Sequence, residues 1–87
     1  MKFKFIPPTI NINGTSKPEL LEQLALVMDG LTTAEDAMCR AYPHGRDYPI
    51  GKCEQARDEW DKARLILLKL KEAINALYTD LYFQGRD

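Results

Sequence analysis

Residues 52–82 read KCEQARDEWDKARLILLKLKEAINALYTDLY. Their apolar members stand at Cys53, Ala56, Trp60, Ala63, Leu67, Leu70, Ile74, Leu77 and Leu81. After an opening step of three, the spacing alternates four, three, four to the end. That alternation is the seam of a helix lying along another helix. A matching seam is therefore needed elsewhere in the chain. Leu20, Leu24, Val27, Leu31, Ala34, Met38 and Ala41 supply it with the same rhythm.

The two segments predict helices over residues 16–42 and 53–82. Ser16-Lys17-Pro18-Glu19 has the Ser-x-x-Glu pattern of a capping box, with proline in the first turn where its missing N–H does no harm. Gly30 interrupts the first helix at a cost of about 1 kcal/mol relative to Ala. The seam keeps its phase across Gly30, so one continuous helix is expected. Residues 43–52 hold Pro43, Gly45, Pro49 and Gly51, which rule out helix and make this the connection. Helices of about 25 and about 30 residues would run about 38 and about 45 Å, well matched for an antiparallel hairpin.

Residues 1–15 read as an extended arm. Phe3 and Phe5 alternate with lysines, and Ile10 and Ile12 with asparagines, while Pro7-Pro8 forbids a central strand. The arm forms one or two short strands or lies on the helices. The fold class is therefore all-α: an antiparallel two-helix hairpin with a short extended N-terminal arm.

One end of the hairpin is apolar over more than a single partner's arc. Leu21, Leu26 and Met28 widen the start of the first helix. Leu65, Ile66, Leu68, Ala73, Ala76 and Tyr78 widen the far half of the second. A chain of 87 residues buries only about 60–65% of its unfolded surface, so a monomer is marginal. Assembly into a helical bundle by oligomerisation is expected, with Leu21, Met28, Leu65, Ile66, Leu68, Ala73 and Tyr78 at the interface.

Charge and composition narrow the functions. Net charge is −1 with no basic block, which disfavours nucleic acid. No apolar run has the length of a membrane span, and residues 1–6 lack a signal peptide's apolar core, so the chain reads as cytoplasmic. Cys39 and Cys53 are then expected as free thiols. The stretch 81–85, Leu-Tyr-Phe-Gln-Gly, resembles the core of a plant-virus protease site used for tag removal, with Thr79 where that site wants an acid. Residues 81–87 are either native or a tag remnant, and carry no functional argument.

Reactive side chains crowd only around the connection: Tyr42, His44, Arg46, Asp47, Tyr48 and Lys52, of which the last five form the candidate binding loop. Turn chemistry explains them equally well, with Gly45 at positive φ, Asp47 accepting backbone N–H groups, and Tyr48 and Ile50 plugging the hairpin's end. Catalysis is not expected, because the single histidine, His44, has no nucleophile at a favoured spacing. Cys39, His44, Asp47 and Cys53 lack the close ligand pairs of a zinc site, so neither metal nor cofactor is expected. Trp60 reads as seam. Asn13, Gly14, Thr15 and Ser16 precede a helix start, a candidate anion site whose simpler reading is capping.

Residues 12–16, Ile-Asn-Gly-Thr-Ser, then Leu20-Leu21-x-Gln23, then residues 44–48, His-Gly-Arg-Asp-Tyr, stand before a charged helix rich in Ala, Arg and Leu. This series resembles an uncharacterised family of small phage and prophage proteins, from about residue 10 to residue 77. The order and spacing of the two short motifs carry the resemblance. It implies a phage origin and an accessory role in the host cytoplasm, and no activity. Two functions follow as expectations. One is a non-enzymatic protein-interaction module, self-associating and directed at a host defence or regulatory protein. The other sequesters a nucleotide-like anion between subunits with His44, Arg46, Tyr48, Thr15 and Ser16.

Overall fold

The computed structural model describes residues 2–84. Two helices, α1 (Lys17–Arg40) and α2 (Cys53–Phe83), pack against each other, joined by a connection with one 3-10 turn, Gly45–Asp47. The all-helical hairpin read from the two seams is the observed architecture. Among the described residues there is no strand. The pairing is antiparallel: Lys17 bonds Gln84 at one end, and Met38 bonds Trp60 toward the other. The rod measures 61 × 21 × 20 Å, with a radius of gyration of 18.0 Å. A compact chain of this length would have about 12 Å.

α1 begins as its cap dictates. Ser16 Oγ accepts from Glu19 N at 3.4 Å and donates to Glu19 Oε1 at 3.1 Å. The carboxylate thus holds the capping hydroxyl rather than the Ser16 N–H of a full capping box. The helix runs unbroken through Gly30 and stops at Ala41, its C-cap, two residues before Pro43. Ala41 is exposed and takes no part in the seam.

The seam departs from strict heptads in two places. Val27 is exposed while Met28 is half-buried, and Ala63 is exposed while Arg64 is half-buried. A straight helix turns once per 3.6 residues, so heptad positions drift by about 20° per repeat. The contact passes to the next residue at these two places, and the seam resumes beyond them at Leu31, Ala34 and Met38, and at Leu67, Leu70 and Ile74. Arg64 enters the seam with its Nε enclosed and its Nη1 3.9 Å from Asp61 Oδ1. The deepest burial is near the open end of the hairpin, at Ile74 and Leu81, and Leu81 is 0% exposed.

Residues 2–10 run beside α2 in the same direction. Phe3 and Phe5 line a space with Ala73, Ala76 and Leu77. Farther on, the Gln84 side chain accepts from Ile10 N through Oε1 and donates to Pro8 O from Nε2 at 2.8 Å. Eight extended residues span about 26 Å and fifteen helical ones about 22 Å, so arm and helix keep pace. Asn11 then turns the chain toward α1. Its Oδ1 accepts from Asn13 N at 3.0 Å and its carbonyl from Gly14 N at 3.2 Å. A Cβ on Gly14 would sit 3.1 Å from the Asn11 amide, so the tight turn favours glycine there. Leu81 and Gln84 of the tag-like stretch are thus fold elements, and its residues 85–87 lie outside the described part.

Candidate functional site

The connection is pinned at its base and open at its tip. At the base, the last turn of α1 leaves carbonyls without helical partners. Trp60 Nε1 donates to one of them, Met38 O, at 2.8 Å. Arg57 Nε donates to Pro43 O at 3.0 Å, and Pro43 is buried. The Arg57 guanidinium stands over the Tyr42 ring at 5.7 Å, within cation–π range. Tyr42 in turn donates its hydroxyl to Asp61 Oδ2 at 3.1 Å. Partial burial, followed by the bond to Asp61 and its negative charge, raises the Tyr42 phenol above 10.0, with Arg57 and Arg64 opposing.

The tip is built from backbone turns. Asp47 N donates to His44 O at 3.0 Å and Tyr48 N to Gly45 O at 3.3 Å. Lys52 N donates to Pro49 O at 3.0 Å, a turn completed by Gly51 at φ 85°. The positive φ therefore falls at Gly51, not at Gly45, because the chain must reverse into α2 there and Gly45 opens a right-handed 3-10 turn. Tyr48 and Ile50 do not plug the hairpin's end. Both are exposed, and buried Pro43 closes the end instead.

His44, Arg46, Asp47, Tyr48 and Lys52 share this tip and are all exposed. Asn13, Gly14, Thr15 and Ser16 are exposed at the opposite end of α1, about 36 Å away along 24 residues. The helix start there is already occupied by Ser16 and the Glu19 carboxylate. One chain thus brings the loop residues together and keeps the Asn-Gly-Thr-Ser turn apart from them. Cys39 and Cys53 are free thiols, the first exposed and the second half-buried. Among the described residues no three of His, Cys, Asp or Glu gather as ligands, and no helix is long and apolar enough to cross a membrane.

The residues named for an interface between copies divide into two sets. Leu21, Met28, Ala73 and Tyr78 are half-buried. Ala73 faces the arm, and Tyr78 stacks with Tyr82 at 6.4 Å between ring centres. Leu65, Ile66 and Leu68 are exposed. The sequence places Tyr42 among the crowded side chains of the loop and Trp60 in the seam, but does not reveal that the two form a bracket with Arg57 and Asp61 at the loop's base. A signal was present: Arg57 and Asp61 stand four apart at the start of α2, the turn that an antiparallel partner's last carbonyls must face. No family model, curated protein or solved structure matches the chain.

Proposed function

We propose that the chain is a non-enzymatic accessory protein that acts by protein–protein association. Copies of the hairpin join through apolar faces of the rod into a helical bundle. The assembly presents the tip around Arg46 and Asp47, with the polar outer face of α2, to a protein partner. On the strength of the Asn-Gly-Thr-Ser and Gly-Arg-Asp-Tyr motifs, the partner is a host defence or regulatory protein and the setting is a phage-infected cytoplasm.

The observation that supports this reading is the imbalance of burial. Among the described residues, Ile74 and Leu81 are the buried members of the core, while Leu26, Val27, Leu65, Ile66 and Leu68 stand exposed. A rod this thin encloses little interior of its own. The tip supports the second half of the reading, since its side chains sit on a braced base and face solvent.

Affinity capture from host lysate tests the proposal, comparing the wild type with an Arg46→Ala/Asp47→Ala variant. A specific protein retained by the wild type and lost by the variant is expected. Equal retention by both would remove the tip from the proposal. A thermal shift with nucleotides that Arg46→Ala abolishes would replace partner binding by capture of an anion between subunits.

A further inference from the structure

We propose that a second copy of this chain docks on the groove between Glu35 of α1 and residues 61–68 of α2, related by a two-fold axis. The inference rests on the self-association put forward above and specifies its surface. The groove holds about 220 Å3, space on the scale of one large side chain, and is lined by Glu35, Asp61, Arg64, Leu65 and Leu68. Leu65 is 50% and Leu68 41% exposed. The described residues of the arm line space with Lys69, Ala73, Ala76 and Leu77, farther along α2 than residues 61–68.

Charge identifies the occupant. The groove carries both signs, with Glu35 and Asp61 against Arg64, and the internal pairings are loose. Arg64 Nη1 lies 3.9 Å from Asp61 Oδ1, and Lys71 Nζ 4.0 Å from Glu35 Oε2. Glu35 Oε2 and Arg64 Nε are enclosed without a hydrogen-bond partner, one an acceptor and the other a donor. Those two atoms are closed to solvent, but the side chains remain 31% and 36% exposed through their other atoms, which are the ones open to a second copy. A patch with one underused carboxylate and one underused guanidinium complements itself under two-fold rotation. With α2 antiparallel to its copy, Leu65 of one chain meets Leu68 of the other as knob into hole, and Arg64 meets the other chain's Glu35. A patch of one sign would have pointed to a foreign partner instead.

Light scattering on purified Glu35→Arg and Arg64→Glu variants tests the surface. The wild type should be a dimer at micromolar concentration, and each single variant should dissociate at least tenfold more readily. An equimolar mixture of the two should recover a heterodimer, because the arginine placed at position 35 then meets the glutamate placed at position 64, and the remaining Arg64 meets the remaining Glu35. A role within one chain cannot produce that recovery. Leu65→Asp should be monomeric; circular dichroism on all variants separates dissociation from unfolding. A wild-type dimer indifferent to both charge reversals, or a mixture without heterodimer, overturns this surface and leaves self-association standing. A stable wild-type monomer overturns both.

Discussion

At Trp60 one side chain serves both helices. Its ring lies in the seam, and its N–H occupies a carbonyl that the end of α1 leaves open. Trp60→Phe keeps most of the ring and deletes the donor. Chemical denaturation followed by circular dichroism should register a loss of about 1–3 kcal/mol, the range for a polar atom left unpaired. Tyr42 carries a pH signature at the same end. Its raised pKa means that the folded chain holds the phenolic proton more tightly than the unfolded one. The bond to Asp61 therefore contributes fully below 10.0 and is lost as pH rises through the higher folded value. The stability gap between wild type and Tyr42→Phe should close across that alkaline window, as followed by denaturation at increasing pH. Glycines separate what residue patterns can and cannot reveal. That the connection would need a left-handed residue was readable, but Gly45 and Gly51 are equivalent on paper. Which of them turns the chain depends on where the 3-10 turn forms.

Among the elements, α1 carries a removable weakness. Gly30 lies on its outer side with nothing within 4 Å of a built Cβ. Gly30→Ala should therefore raise stability by about 1 kcal/mol in urea titration, without changing the fold. The far half of the arm is held by one side chain. Gln84 closes it by accepting from Ile10 N and donating to Pro8 O. Gln84→Ala should leave the helical spectrum unchanged while hydrogen exchange at Ile10 accelerates toward the open-chain rate. The helices were legible because every third or fourth position is apolar over long stretches. Their exact contact line was not, since Val27 and Met28, or Ala63 and Arg64, are neighbours on one flank of the seam, and the opposing helix decides which of them it covers. The arm's alternation of Phe and Lys suggested strand pairing. It lies on a helix because a glutamine amide far along the sequence offers one donor and one acceptor, a contact that no local pattern encodes.

For the whole molecule, slenderness governs behaviour. With 18.0 Å of radius where a compact chain has about 12 Å, the hairpin keeps much apolar surface at hand for association. If two copies fold as one cooperative unit, melting depends on concentration, and a tenfold increase should raise the midpoint by about 4 °C in calorimetry. The crowding of His44, Arg46, Asp47, Tyr48 and Lys52 was visible from the sequence, since a short stretch rich in proline and glycine gathers its neighbours at one tip. The braced base beneath it was not, because Tyr42 and Asp61 meet only once two distant helices choose their register.

The antiparallel course sets Lys17 beside Gln84, so both outer ends of the hairpin share one tip. Tension applied through these two points would peel the rods apart like a zipper, one turn after another, instead of sliding them lengthwise. The Lys17 and Gln84 contacts would rupture first and the Trp60 bracket last. Mechanical resistance should thus be low and graded for a lone hairpin, and rise where a second copy grips the middle of α2.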